Sequence, residues 1–444
     1  MRNLIQFLVV VLFAFMATQT MAQKIQYSRA NNQKGMHTFE PSKLDTVGYD
    51  GFKLAVQGAF TQGFQSLSHE NMDTSKAQKN KLYAMGSGFN LAAANLNFDV
   101  QLGDGIRVFL ENYMAARHHN EFWVKGGYIQ IDKLPMFGNP EWFTKYVRAK
   151  LGHMEINYGD NHFRRSDGGN TIFNAFAENT IVDQFATEIG GELYVYPMEG
   201  LMFMVGLTNG LIRNNIRNYK DNPLYGTNKA DSITTKSPSI LAKLAYDNQF
   251  NDKFRFRLST SLYHNSSSPS LTLYSGDRTG SNYFGVMEAA AWANSTADFT
   301  SGRFNPGFSN SITAFCINPF IKYQGLEFFG TYEITSGKTV NEDPDADGFE
   351  KRNMTQLSAE LIYRFLPNEQ LFAGLKYNTV SADLIGYTDP VTINRIAFGA
   401  GWFPVKNLLL KGEYVQQTFD GFKGTDIRHE GKFNGVVIQA VVGF

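Results

Sequence analysis

The chain has a single cysteine, Cys316, and only 13 prolines among its 444 residues. One cysteine excludes an intramolecular disulfide framework and every multi-cysteine zinc or iron–sulfur site. Lysine and arginine together number 41, as do aspartate and glutamate, so the chain lacks the positive excess on which nucleic-acid binding depends. After Ala22 no apolar run is long enough for a membrane-spanning helix. A chain of this kind is therefore soluble or enters a membrane as a closed β-barrel.

Residues 1–22 have the features of a secretory signal peptide. Arg2 supplies the positive charge, residues 7–17 form an apolar run of signal-peptide length, and Thr20-Met21-Ala22 fits a cleavage site. We expect cleavage after Ala22 and export to the bacterial outer membrane. The polar stretch 23–51 is expected to be a periplasmic N-terminal segment, and 52–444 the barrel.

Hydrophobicity along the chain alternates with a period of two. Residues 96–102 place apolar side chains on one face and polar ones on the other, and residues 436–444 repeat the pattern up to the final Phe444. About sixteen strands are predicted, within a range of fourteen to eighteen. They lie near 52–65, 88–102, 105–117, 121–132, 146–154, 187–196, 201–209, 239–247, 253–263, 311–323, 325–335, 354–365, 370–380, 393–403, 407–418 and 433–444.

The links between these strands alternate in length. Most links after even-numbered strands are short, such as 103–104, whereas most after odd-numbered strands are long, such as 155–186 and 264–310. Two links, 133–145 and 118–120, depart from this rule. A soluble β-sandwich, the alternative, has no reason to sort its turns in this way. Outer-membrane barrels have short periplasmic turns and long outer loops. We therefore predict an all-β, transmembrane antiparallel barrel.

Polar residues on the predicted inner face of the strands indicate the character of the lumen. The basic ones are Arg107, Lys125, Arg148, Lys150, Lys243, Arg255, Arg257, Arg364, Lys376, Arg395 and Lys411. The acidic ones are Glu111, Asp132, Glu188, Glu192, Glu327, Glu333, Glu360 and Glu413. This small positive excess favours anions, since rings of Arg and Lys at a constriction select them.

The 155–186 link carries His162, Arg164 and Arg165, followed by the apolar stretch 172–177. Long links are commonly functional, and an exposed apolar patch is unfavourable in water. We expect this third outer loop to fold into the barrel, with these three residues at the pore constriction. A surface loop that covers its neighbours is the alternative.

Several short motifs resemble the phosphate-selective porin O and P family of Gram-negative outer membranes. They are Leu151-Gly152-His153, Phe163-Arg164-Arg165, residues 188–194 and Gly206-Leu207-Thr208-Asn209-Gly210. The resemblance implies a sixteen-stranded homotrimeric barrel with a basic lumen and an inward third loop, and it implies that Phe444 is the signal for the barrel assembly machinery. Where the family tends to have Pro-Phe-Gly, this chain has Ile156-Asn157-Tyr158-Gly159, so phosphate selectivity does not carry over.

Asp343, Asp345 and Asp347 alternate before Gly348, a spacing that suits hard calcium ligands in an outer loop at 341–350. An EF-hand would need a glutamate where Met354 stands, and a solvated acidic loop is the alternative. No Gly-x-Ser-x-Gly or His-Glu-x-x-His motif occurs. We therefore expect neither an enzyme nor, apart from this calcium, a cofactor.

These features predict an outer-membrane porin for passive diffusion of small hydrophilic solutes, with a possible weak preference for anions such as phosphate. Its expected partners are outer-membrane lipid, the solutes, the assembly machinery and two further copies of the chain, and no nucleic acid. One alternative is a closed surface barrel that binds a partner through the long loops 210–238 and 264–310. The other is a barrel-embedded lipid hydrolase.

Overall fold

A computed structural model describes residues 24–44, 47–74, 79–116, 122–166, 170–211, 236–277, 279–290, 301–339, 342 and 351–444. The predicted signal peptide, most of loop 210–238 and all three aspartates of the calcium hypothesis lie outside these residues. Among the described residues, no helix has the length and apolar character needed to cross a bilayer.

Sixteen β-strands make up nearly all of the regular structure. They are Lys53–Glu70 (β1), Gly88–Gly103 (β2), Ile106–Ala115 (β3), Trp123–Ile131 (β4), Val147–Glu155 (β5), Thr187–Met198 (β6), Leu201–Thr208 (β7), Ser239–Asn251 (β8), Phe254–Asn265 (β9), Ser311–Tyr323 (β10), Leu326–Lys338 (β11), Arg352–Phe365 (β12), Leu371–Ala382 (β13), Val391–Val405 (β14), Leu408–Asp420 (β15) and Lys432–Gly443 (β16). The link between β4 and β5 contains one short helix, Glu141–Tyr146 (α1).

Each strand pairs antiparallel with its neighbours in sequence, and β1 closes the sheet against β16. The closing register runs from Ala59 opposite Gly443 to Glu70 opposite Lys432. The predicted transmembrane antiparallel barrel of about sixteen strands is thus confirmed. A closed ladder of this kind leaves no strand edge without a hydrogen-bonding partner.

Alternation along each strand explains why the sheet closes with polar groups inside. On β14, for example, Arg395 is 1% exposed while its neighbour Ile396 is 45% exposed. The outward side chains are mostly aliphatic or aromatic, as a lipid-facing surface requires. The alternation predicts that six aromatic side chains near the strand ends face outward: Tyr246, Tyr323, Tyr332, Tyr363, Tyr377 and Trp402. Five of them are exposed, whereas Tyr246 is half-buried.

The two ends of the barrel differ. We call the end with the tight links, such as the Gly103–Gly105 turn, the short-turn end, and the opposite end the loop end. Both β1 and β16 meet at the short-turn end, where the backbone of Phe444 exchanges two hydrogen bonds of 2.9 Å with Gly58. A side chain at Gly58 would collide with the Phe444 ring. The role of Phe444 in assembly stays a prediction.

Three segments occupy the inside of the barrel. The first is the third outer loop, residues 156–186, which we call L3; its predicted inward fold is confirmed, because Phe176 and Ile181 are fully buried. The second is the described part of residues 266–310, that is 266–277, 279–290 and 301–310, which we call L5. The third is residues 24–44, which form no strand. These residues lie within the short-turn end, where their apolar side chains, Tyr27 and Phe39 among them, are packed. The assignment of 23–51 as a periplasmic N-terminal segment stays a prediction.

Candidate functional site: the barrel lumen

The predicted basic residues of the inner face all lie on the inner side of the wall, and most are paired there. Arg107 contacts Asp99 at 2.6 Å, Arg148 contacts Asp132 at 2.8 Å and Arg364 contacts Glu327 at 2.9 Å. The other paired members are Lys125 with Asp277, Lys243 and Arg257 with Asp160, Arg255 with Asp247, and Lys376 with Glu360. A paired charge in a low-dielectric interior attracts a passing ion far less than a free one does.

The predicted constriction residues Arg164 and Arg165 are also paired. The Nη2 atom of Arg164 lies 2.7 Å from Glu327 and 3.2 Å from Glu360, on β11 and β12. Arg165 donates two hydrogen bonds to Asp183, at 2.5 and 2.9 Å. Both arginines are less than a tenth exposed. Their charges therefore hold L3 to the wall and to itself, and little of either charge is left to face a solute.

His162, the third predicted constriction residue, packs on Phe163 with the ring centroids 3.8 Å apart. Its Nε2 atom lies 2.9 Å from Oδ1 of Asn157. Burial, reinforced by the ammonium of Lys243, holds the pKa of His162 well below its ordinary value. The imidazole is therefore neutral at physiological pH and contributes no charge to the lumen.

L3 packs closely against the wall because two wall glycines leave room for it. The Phe176 ring lies against Gly374 and Gly399 on β13 and β14, where an added Cβ would stand 3.4 and 3.2 Å from it. Lys411 on β15 donates hydrogen bonds to three L3 carbonyl oxygens, those of Thr171, Asn174 and Phe176, at 2.7–3.1 Å. All three ammonium hydrogens of Lys411 are thereby used, so this predicted lumen cation is a structural anchor.

L5 is a second inward loop, and it shares its anchors with L3. On β11, Glu333 accepts hydrogen bonds from the hydroxyls of Tyr158 of L3, at 2.9 Å, and Tyr274 of L5, at 2.8 Å. On β15, Glu413 accepts one from the Ala177 amide of L3, at 2.8 Å, and one from the Tyr283 hydroxyl of L5, at 2.5 Å. Two wall glutamates thus clamp both loops, which fill the lumen along β10 to β15.

Arginine pairs also join the two loops directly. Arg303 of L5 lies 2.8 Å from Glu178 and 2.9 Å from Asp183, both in L3. Arg395 on β14 donates to the carbonyl oxygens of Asn179 in L3 and Gly302 in L5, at 2.9 and 2.8 Å. L3 and L5 therefore behave as one packed unit rather than as two independent loops.

An interior chamber of about 200 Å³ remains on the other side, along β1 to β6. Its lining is rich in charged and aromatic groups. The charged members are Arg29, Arg107, Glu111, Lys125, Lys150 and Glu155. A larger recess of about 730 Å³ opens at the short-turn end, between residues 37–44 and the ends of β8 and β9.

Lys150 differs from the other wall cations of this chamber. Within the described part of the chain, its Nζ atom has no carboxylate within salt-bridge distance and no hydrogen-bond acceptor. It stands 5.0 Å from the ring centre of Tyr128 and 5.4 Å from that of Tyr194. Glu192 lies directly opposite on β6, but its carboxylate is taken by the Asn157 amide and the Tyr194 hydroxyl. The Lys150 charge is therefore free to act on the contents of the chamber.

Two chamber groups were not singled out from the sequence. Arg29 reaches in from the N-terminal segment, stacks at 3.8 Å over Phe173 of L3, and donates only to the carbonyl oxygens of Gly35 and Phe163. Glu155, at the end of β5, has a buried Oε1 atom with no donor within reach among the described residues. Arg29 lay outside the predicted strands, and Glu155 lay at the boundary of one, so alternation gave no signal for either.

A metal site has no support among the described residues, where no three His, Cys, Asp or Glu side chains group so as to hold an ion. The calcium hypothesis concerned Asp343, Asp345 and Asp347, which lie outside those residues.

Comparison with known proteins identifies the fold. The structure is similar to that of an anion-selective porin from Comamonas acidovorans, with a TM-score of 0.51 and 10% identity over 88% of this chain and 100% of the porin. It is equally similar to the outer membrane channel DcaP of Acinetobacter baumannii, with a TM-score of 0.51 and 11% identity over 89% of this chain and 99% of that one. Neither a protein-family model nor a curated protein sequence matches the chain. The resemblance to phosphate-selective porins therefore stays a prediction.

Proposed function

We propose that this protein is a passive outer-membrane porin of narrow bore, which admits small hydrophilic solutes through the chamber along β1 to β6. The closed sixteen-stranded barrel, a fold it shares with a porin and an outer membrane channel, supports this role. The observation that carries it is the charged interior chamber between L3 and the wall. A barrel that served only as a scaffold would gain nothing from burying unpaired ionic groups, which are costly without a partner.

The bore is narrow because L3 and L5 fill the rest of the lumen. A sixteen-stranded barrel is wide enough for an aqueous channel when nothing occupies it. In this chain the Phe176 and Tyr283 side chains are packed against the far wall and are fully buried or nearly so. Passage is therefore confined to the chamber side, and only small solutes fit.

A weak anion preference follows from the chamber charges. Lys150 has no carboxylate partner, and Arg29 is satisfied by carbonyl oxygens that leave its charge uncompensated. Glu155 opposes them from the far end of β5, which keeps the preference weak. In this proposal Arg164 and Arg165, the predicted constriction residues, position L3, and the field on the solute comes from Lys150 and Arg29.

The remaining features of the proposal come from the sequence. They are a signal peptide removed after Ala22, insertion by the assembly machinery through Phe444, contact with outer-membrane lipid, assembly as a homotrimer, and calcium in the 341–350 loop. No catalytic step is part of the proposed function.

The packing of L3 against L5 also favours a second candidate, a closed barrel whose outer loops bind a partner. Recordings from purified protein in a planar bilayer distinguish the two. Ohmic single-channel steps, with a reversal potential that favours anions in a salt gradient, are expected for the porin. A folded, heat-modifiable barrel that gives no steps would contradict the porin and support the closed barrel.

A further inference from the structure

Residues 24–44 follow the inner rim of the short-turn end around the whole barrel; we call them the N-terminal belt. The belt starts at the β2–β3 turn, where Gln26 accepts a hydrogen bond from the Gly105 amide at 2.8 Å and the Ser28 hydroxyl donates to Asp99 at 2.6 Å. It then passes β1, where the Asn31 side chain donates to the carbonyl oxygen of Gly58 at 2.7 Å.

The next contacts are with the turns that follow β14 and β12. The Gln33 amide donates to the carbonyl oxygen of Lys406 at 2.9 Å, and the Gln33 side chain donates to that of Asn368 at 2.9 Å. Beyond these turns, His37 lies 3.4 Å from Glu327 on β11. The Phe39 ring packs edge-on against Phe320 of β10 at 5.4 Å.

The last part of the belt crosses β9 and β8 and returns to β5 and β4. Glu40 bridges Arg257 and Lys243, at 2.8 and 3.0 Å. Lys43 then lies 3.2 Å from Asp132, just after β4. A 2.9 Å hydrogen bond from the Gln26 side chain to the carbonyl oxygen of Val47 brings the circuit back to its start.

The belt is packed but is not part of the wall. Ile25, Tyr27 and Phe39 are each no more than 5% exposed. The belt adds no strand to the sheet, and twelve register pairs close β1 on β16 without it. Its contacts with the wall are separate hydrogen bonds, mostly from side chains, together with ion pairs and ring contacts, and they form no ladder. The belt can therefore be removed in principle while the barrel stays closed.

We propose that the N-terminal belt is the size-limiting ring of the channel at its periplasmic end. This inference rests on the proposed function. A ring of backbone around the inner rim reduces the opening on every side, and its contacts with β1 and with six of the seven short-turn hairpins hold the opening at one diameter. Lys150 and the belt's own Arg29 would then act on the charge of a solute, and the ring as a whole on its size at the exit.

The experiment cuts the belt from the folded barrel. Residues 48–50 are exposed, and Gly48 and Gly51 have open space around them, so a protease recognition site inserted there is accessible. The protein is folded in detergent, cut, and washed in urea to release the fragment, with mass spectrometry to verify the loss. The uncut insertion variant is the matched control. Single-channel conductance and liposome uptake of sugars of graded size are then measured for both.

We expect the cut barrel to conduct about twofold or more above the control, because the unobstructed end of a sixteen-stranded barrel is wide, and to admit larger sugars. A cut barrel that has lost the fragment but keeps the control's conductance and size limit would overturn the inference alone. Silence from both folded forms would overturn the proposed function together with the inference. If the uncut control gives no conductance and the cut barrel conducts, the belt limits the opening as proposed, and only the proposal that the channel is open at rest is contradicted.

A deletion variant that lacks 24–44 covers the case in which the fragment stays bound. Its folding is checked by heat-modifiable migration, which the closed ladder predicts it retains. The same rise in conductance and size limit is expected, and their absence in a folded deletion variant would overturn the inference.

Discussion

Replacement of Lys150 by glutamine tests the proposed anion preference at one atom. Lys150 is the one wall cation of the chamber, among the described residues, that has neither a carboxylate partner nor a hydrogen-bond acceptor. Replacement of Lys150 therefore removes one positive charge that acts on a solute in the chamber, and it leaves no carboxylate unpaired. A paired residue such as Arg107 would not allow this, since its loss would leave Asp99 buried and uncompensated.

The size of the effect follows from Coulomb's law. An anion that passes about 5 Å from Nζ, in a wet chamber with an effective dielectric constant between about 40 and 80, gains about 0.8–1.7 kcal/mol. That corresponds to an enrichment of about 4- to 16-fold over a neutral chamber, reduced by salt screening. The anion-to-cation permeability ratio of Lys150→Gln is accordingly expected to fall several-fold.

The assay is the reversal potential in a tenfold KCl gradient, repeated at low and high total salt. Lys150→Arg keeps the charge and should keep the wild-type value. Lys432→Gln removes the same charge at the exposed loop end, beside Glu70, and is the control for net charge. A folded Lys150→Gln channel whose reversal potential equals the wild-type value would refute the assignment of selectivity to this lysine.

Three further predictions concern the packing inside the barrel. Gly399→Val should displace Phe176 and undock L3 at a cost of about 1–3 kcal/mol, which faster proteolysis of L3 would show. Ala400→Val, at an outward-facing position, is the control and should leave the rate of proteolysis unchanged. Equal digestion of the two variants would argue against the packed loop. Glu333→Leu removes the acceptor of the Tyr158 hydroxyl, at about 1–3 kcal/mol, and one of the two partners of the Tyr274 hydroxyl, which keeps Thr335 at 2.6 Å. L3 and L5 should therefore loosen together, with Ile334→Leu as control, and loosening of one loop alone would contradict the shared clamp. Acidification from pH 7.5 to 5 should weaken docking of the belt. Burial, assisted by Arg364, Lys322 and Arg164 and opposed by Glu327, holds the pKa of His37 well below 6.5. The undocked belt therefore binds a proton that the docked belt does not, so the docked belt has its full stability above about pH 6.5 and loses stability below it. Amide hydrogen exchange of residues 24–44, corrected for intrinsic rates and compared with His37→Ala, measures this, and unchanged protection at pH 5 would show that His37 does not couple to docking.

The wall of the barrel was predictable because it is built from a local pattern. Alternation places Arg395 inward and Ile396 outward whatever the distant partner strand is, and the alternating link lengths define the two ends. The inward fold of L3 was predictable for a similar reason, since an apolar run such as 172–177 has to be buried. The β1 boundary was less accurate: the strand continues to Glu70, five residues beyond the predicted end, because it pairs there with β16.

The contents of the lumen were not predictable in the same way. The sequence predicts Arg164 and Arg165 as free pore charges, but Arg164 pairs with Glu327 and Glu360, which are more than 150 residues away, and Arg165 pairs with Asp183 of the same loop. No local pattern shows such pairings. The belt has no hydrophobic period, and it is held by hydrogen bonds, ion pairs and ring contacts with residues that are distant in sequence. L5 is anchored by Tyr274 and Tyr283 on buried wall glutamates, and the tyrosines of a long loop facing acids on the inner face are the one signal that could have suggested it.

The most direct test of the account is the accessibility of position 150 in a conducting channel. The native thiol, Cys316, is fully buried, so Lys150→Cys supplies a single reactive site on the chamber wall. We predict that a small sulfonate thiol reagent added during a bilayer recording modifies the cysteine and lowers the current in one step per channel, while the wild-type current stays constant. Modification at position 150 with no change in current, or a steady current from channels whose cysteine never reacts, would contradict a solute pathway through this chamber.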